Sequence, residues 1–182
     1  MKEKAHIMDD AAMTRALHRI SHEIIERNKG TENVVIIGIQ RRGVPIAKIL
    51  ADHIGSVENA TIPVGTLDIT FYRDDLSMLS AHPVLNGTDI PFNITERDII
   101  LVDDVLYTGR TTRAAMDAIM EVGRARTIQL AVLVDRGHRE LPIRADYVGK
   151  NVPTSHAELV AVRIAPFDET NEVVLLDASE GE

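Results

Sequence analysis

Apolar residues recur along this chain with two different periods. Asp9 and Asp10 can cap a helix and Gly30 can end one, and between them the spacing is helical. At about 100° per residue, Met13, Ala16, Leu17, Ile20 and Ile24 share one face. The opposite face carries Arg15, His18, Arg19, His22 and Glu26, so it is basic apart from one carboxylate. Residues 34–39 then form an unbroken run rich in β-branched side chains and too short for a helix, which predicts a buried strand. A turn at 40–43 leads to a second helical stretch over 44–54.

Residues 61–70 alternate in part and predict another strand. Residues 71–94 are polar, weakly periodic and long enough for a functional flap. Residues 97–102 are the most hydrophobic strand candidate and run straight into Asp103-Asp104. A helix over 112–122 ends at Gly123, and a strand over 128–134 ends in Asp135-Arg136-Gly137. Short strands follow near 147–148, 159–164 and 173–176. Strands alternating with helices, apolar on both faces, predict an α/β fold with a central, mostly parallel sheet. No repeat, low-complexity tract or linker interrupts the chain, so a single domain over 1–182 is expected.

Composition narrows the chemistry. The 182 residues are 45% hydrophobic and 26% charged, the balance of a globular protein. Aromatics make up 3% with no Trp, which disfavours wide base-stacking platforms. The absence of Cys removes disulfides, thiolate catalysis and Cys-based metal sites. A net charge of −8 argues against indiscriminate binding to nucleic acid or membrane, though a local basic patch remains compatible with it. No signal-peptide h-region or membrane-length apolar run is visible, so a cytoplasmic protein without a membrane partner is expected.

The chemistry concentrates in Ile99 to Thr112. A buried strand delivers two carboxylates to its C-terminal end, where α/β folds place ligands. A loop rich in Thr and Gly follows, and then a helix whose first N–H groups, with Thr108, Thr111 and Thr112, suit an anion. A ligand carrying a diol and a phosphate on adjacent carbons would satisfy this segment. A polar strand end followed by a plain helix cap fits the same residues. Neither GxxxxGK[ST] nor GxGxxG is present.

Two or more apolar residues, Asp-Asp and then Thr-Gly resemble the phosphoribosyl pyrophosphate (PRPP) signature of type I phosphoribosyltransferases. The stretch Val102-Asp103-Asp104-Val105-Leu106-Tyr107-Thr108-Gly109-Arg110-Thr111 is similar to the version in the bifunctional pyrimidine operon attenuation regulator/uracil phosphoribosyltransferase family. So are Leu67–Thr70 with Tyr72–Leu76, and Leu133 through Tyr147; the resemblance spans about residues 4–164. It implies the type I fold with a small hood built from the chain ends and the segment after Asp135.

It also implies transfer of ribose 5-phosphate from PRPP to uracil, giving UMP and pyrophosphate. Asp103 and Asp104 would hold the ribose hydroxyls directly or through Mg²⁺, itself bound mainly to PRPP and pyrophosphate oxygens with no dedicated protein metal site. Tyr107 to Thr111 would wrap the 5′-phosphate, and Arg42, with Arg41 less firmly, would meet pyrophosphate. The 72–77 segment corresponds to a flap in which Arg73 would also meet pyrophosphate; an ordinary surface loop is the plainer reading. The 134–137 strand end lies where the fold places its base.

The same family binds a stem-loop in pyrimidine-operon mRNA and promotes termination, with UMP favouring binding. Arg15, His18, Arg19, His22 and Arg27 on the first helix, with Arg139, Arg144 and Lys150, are the candidate RNA contacts. Read from the residues alone, they also fit solvated helix charges. One departure stands out: family members commonly carry Thr where this chain has His18. A zinc pair of His18 and His22 lacks a third ligand in sequence and any HExxH. A phosphoribosyltransferase for another base, an enzyme without RNA regulation, and a UMP- or PRPP-sensing regulator with little catalysis remain alternatives. The resemblance implies a homo-oligomer, a dimer or larger.

Overall fold

Each long apolar run becomes a strand because both of its faces are covered. The computed structural model describes residues 1–72 and 87–178. The chain runs β1 (Lys2–Met8), α1 (Asp10–Asn28), β2 (Val34–Ile39), α2 (Gly43–Glu58) and β3 (Val64–Leu67). After one helical turn at Thr70–Tyr72 come β4 (Asp98–Leu106), α3 (Arg110–Val122), β5 (Thr127–Asp135), β6 (Tyr147–Asn151), β7 (Glu158–Arg163) and β8 (Glu172–Asp177). Five strands form a parallel sheet in the order β3-β2-β4-β5-β6. Among the described residues, no helix is long and apolar enough to cross a membrane.

Alternate residues of the central strands feed two cores. Val34 and Ile36 of β2, with Ile100 and Val102 of β4, pack with α1 and α2. Val35, Ile37, Ile39, Ile99 and Leu101 pack on the other side with Ala114, Ala115, Ala118 and Ile119 of α3. This two-sided burial explains the unbroken apolar runs. The predicted apolar stripe of α1 is buried in full, together with Ser21, whose hydroxyl donates to the Leu17 carbonyl at 2.9 Å. The Asp9 carboxylate caps the helix by accepting the Ala12 N–H at 2.7 Å.

Among the departures from expectation, three concern strands directly; α2 also runs on to Glu58, past its predicted end at 54. β1 has no counterpart in the predicted elements: it pairs with β8 at the edge of a second, antiparallel sheet of order β1-β8-β7. Its first residues are exposed and its register shifts twice, which hides the alternation. The second departure is β3, which ends at Leu67 and not near residue 70. There the Asp68 carboxylate accepts both the Thr70 N–H, at 2.9 Å, and its hydroxyl, at 2.6 Å, and so turns the chain. The third is β4, which is longer than predicted. Its pairing with β5 continues from Asp103 opposite Val132 to Leu106 opposite Asp135, so both aspartates lie inside the strand. The small sheet draws on both chain ends as expected, but β6, after Asp135, joins the central sheet instead.

Gly43, the first residue of α2, lies so close to β4 that a Cβ there would sit 2.4 Å from the Val102 carbonyl oxygen. A G43A variant should therefore push α2 off β4 and cost about 1–3 kcal/mol, or roughly 2–4 °C per kcal/mol in thermal midpoint. A differential scan of G43A against the parent chain measures it.

Candidate active site

In open parallel sheets, ligands bind beyond the carboxyl ends of the strands, where strand order reverses. Here the chain moves outward from β2 to β3 but from β4 to β5, so the reversal lies between β2 and β4. Their pairing closes at Gly38 opposite Val102, and β4 runs on past it. Asp103 and Asp104 come next. Both were expected at an exposed strand end, yet Asp103 is only 8% exposed. One Asp103 oxygen accepts the Asp104 N–H at 2.9 Å, and one Asp104 oxygen accepts the Val105 N–H at 2.8 Å. Burial, reinforced by the Asp104 carboxylate, pushes Asp103 well above the usual carboxylate range.

Leu106 closes the strand, and Tyr107 and Thr108 lead to Gly109, whose φ of +93° suits glycine and starts α3. The helix begins at Arg110, earlier than predicted, so Arg110 and Thr111 belong to its first turn and Thr112 is buried. First-turn N–H groups lack intrahelical acceptors, which suits an anion here. The loop is braced from outside by residues 139–143. Arg139 donates to the Tyr107 carbonyl at 2.9 Å and to the Ile143 carbonyl at 2.8 Å, and also bonds Asp135. The Glu140 N–H reaches the Thr108 carbonyl at 2.9 Å, and Arg110 Nε donates to Glu140 at 2.6 Å.

The facing loop is Gln40 to Gly43. Arg42 grips Asp168, in the β7–β8 connection of the hood, through Nε at 3.0 Å and Nη2 at 2.9 Å. The pairing holds Asp168 below the usual carboxylate range, and the Asp104 charge also acts on Arg42. Arg41 lies over the Phe167 ring at 5.8 Å. Asp168 was absent from the sequence reading, which had nothing to link it to residue 42. Gln40 donates to the Gly87 carbonyl at 2.7 Å, and the Asp68 N–H to Thr88 at 2.9 Å. The flap read at 72–77, with Arg73, lies outside the described residues apart from Tyr72, but its flanking residues converge beside this loop.

A second unforeseen residue is Arg136. It is 4% exposed, with its guanidinium 4.0 Å from the centre of the Tyr107 ring. It donates to Thr154 Oγ1 at 3.1 Å and to the carbonyls of Ser155 and Glu158 at 3.1 and 2.7 Å. The 134–137 strand end is thereby tied to both Tyr107 of the 107–109 loop and the hood. The Asp-Arg-Gly run was visible in sequence, but nothing there marked the arginine as buried.

The basic residues divide. Arg15, Arg19 and Lys150 line one surface groove with Met8, Ala12 and Gly149. Arg19 also donates to the carbonyls of Val148 and Gly149, at 3.2 and 2.6 Å. Arg27 pairs with Asp146 at 2.7 Å and lies over Tyr147. Arg144 lines a separate cleft beside Ile143 and Asp146. Arg139 is turned inward on the 107–109 loop and is not grouped with the α1 residues. His18 stacks on His53 of α2, centroids 3.8 Å apart and planes within 7°, and His22 meets His53 edge-on at 5.3 Å. His53 was missed because it lies on another helix; burial, then His18 and His22, hold it below the usual imidazole range.

Asp103 carries a testable sign. A carboxyl raised on folding contributes stability that is complete below its unfolded value and is lost as pH rises through its folded value. D103N removes that loss, so at neutral pH it should raise the thermal midpoint above the parent's and flatten its fall above the carboxylate range. Thermal scans from pH 4 to pH 8 decide it, with equal pH slopes in both proteins as the contrary result.

Residues 5–163 match the family model described as the phosphoribosyl transferase domain. The chain is 62% identical over 181 residues to a bifunctional protein PyrR of Acetivibrio thermocellus, covering 100% of this chain and 98% of that protein. It is 59% identical over 179 residues to the bifunctional protein PyrR of Bacillus mycoides, covering 97% and 99% respectively. In fold it is similar to a hypoxanthine phosphoribosyltransferase of Trypanosoma cruzi, with TM-score 0.73 at 16% identity over 96% of this chain and 97% of that one. A hypoxanthine-guanine phosphoribosyltransferase of Bacillus anthracis gives 0.69 at 18% identity, covering 96% and 98%. A switch-point crevice with paired aspartates, the family match and the full-length relatives agree: the chain belongs to the phosphoribosyl transferase domain family and, within it, to the bifunctional PyrR proteins.

Proposed function

We propose that the crevice transfers the phosphoribosyl group of PRPP to uracil, and that the basic face binds a stem-loop of pyrimidine-operon leader RNA in response to UMP. The observation that carries the first half is the meeting, at one strand-order reversal, of Asp103-Asp104, the α3 N-terminus and Arg42. The C1′–O bond to pyrophosphate breaks, a bond from C1′ to uracil N1 forms, and the N1 proton passes to solvent. Asp104 and Asp103 hold the ribose hydroxyls, and Val105 and Leu106 bind PRPP together with residues 107–111, which seat the 5′-phosphate. Arg42, with Arg41, meets the leaving pyrophosphate, and the proposed flap residue Arg73 joins them. The chemistry asked of the protein is positioning and charge stabilisation.

Mg²⁺ bound with PRPP would neutralise charge on the pyrophosphate oxygens. The donors fit that use: two adjacent carboxylates suit an ion that also keeps substrate oxygens and waters. We read the chain as a single domain acting in the cytoplasm as a homo-oligomer. A second reading, enzyme without RNA binding, is favoured by one observation: Arg19, Arg27 and Arg139 already donate within the molecule.

With PRPP and a panel of bases, UMP formation should far exceed other products, and D104A should lower kcat/KM by about 10–100-fold. Parent-like turnover in D104A removes the site assignment. R15A and K150A should each weaken leader-RNA binding and reduce its salt slope by about one, with UMP synthesis unchanged. RNA binding unaltered in the double variant supports the enzyme-only reading. A joint fall of both activities shows that the two surfaces are not separate.

A further inference from the structure

The facing loop and the hood meet residue by residue: Arg41 lies over Phe167, and Arg42 forks onto Asp168. We infer that Asp168 is a positioning residue that occupies one edge of the Arg42 guanidinium and so presents the other edge to the leaving pyrophosphate. This rests on the reading of Arg42 given above.

A guanidinium has two bidentate edges, Nε with one Nη, and the two Nη together. Asp168 takes the Nε–Nη2 edge, at 3.0 and 2.9 Å. Three of the five N–H donors remain, and Arg42 makes no other hydrogen bond among the described residues. The remaining edge has the fork spacing that phosphate oxygens accept in pairs. Asp168 is fixed in turn, because the Ile164 N–H donates to its Oδ2 at 2.9 Å. Only the Asp168 side chain and one turn of hood backbone therefore separate Arg42 from the rigid β7 strand. Without that partner, a long flexible arginine would have to be ordered by the substrate itself.

A carboxylate beside an arginine also weakens its pull on an anion, so geometry and charge make opposite forecasts. Positioning predicts that D168N raises the KM for PRPP about 10-fold and weakens pyrophosphate product inhibition in step. The KM for uracil should stay within about twofold, which also reports an intact fold, and D168E should recover much of the loss. In an R42A background, D168N should add nothing, because both act through one group. Unchanged or tighter PRPP use in D168N overturns the inference, as does full additivity with R42A. An R42A effect without a D168N effect removes this inference alone. An R42A variant with parent-like KM for PRPP removes the reading of Arg42 and this inference with it.

Discussion

The crevice depends on one constraint, the close passage of the α2 start over β4. β2 can stop at Ile39 and turn back because Gly43 has no side chain to strike the Val102 carbonyl. With that turn made tight, β4 runs on past its last β2 partner and carries its end to the gap. The aspartates, the 107–109 loop and the Arg42 loop then occupy neighbouring corners of the same opening. The Arg42 loop is remote in sequence from the other two, which are contiguous. Their meeting is a property of sheet order, which is why the fold places ligands there regardless of chemistry.

Arginines do much of the bracing around this opening. Arg42 ties the facing loop to the hood, Arg136 ties the β5 strand end to the hood and to Tyr107, and Arg139 ties residues 135 and 143 to the 107–109 loop. A guanidinium suits the task because its planar fork satisfies several carbonyls at once while one face stacks on a ring. Buried at 4% exposure, Arg136 would be costly without such partners, and three acceptors plus an aromatic face compensate it. In a chain with a net charge of −8, these cations are placed where they hold loops, and fewer remain for the outer surface.

The strands and helices that pack on both sides were legible because burial writes itself as uninterrupted or periodic apolar residues. β2 appears with its predicted bounds, and the α1 stripe is buried residue for residue. The Asp-Asp and Thr-Gly motif was legible for a different reason: strand end, loop and helix start are contiguous. What escaped lies across the chain or at an edge. Asp168 finds Arg42 over 126 positions, and His53 meets His18 from a second helix. β1 buries too little of itself to show a pattern. The burial of Asp103 escaped because extension of β4 beyond Val102 is decided by pairing with β5, not by the hydrophobicity of β4 itself.

Residues 135–151 touch both proposed surfaces. At one end, Arg136 and Arg139 hold the 107–109 loop; at the other, the Val148 and Gly149 carbonyls accept Arg19 of the basic helix. Between them, Asp146 pairs with Arg27 and also accepts the Leu130 N–H of β5 at 2.8 Å. Under the proposed reading, a leader stem-loop would compete for the cations held at the second end. Linkage between ligands requires that each favour one arrangement of a shared element. Here the element common to both surfaces is a single stretch of chain, braced by arginine bonds at both ends.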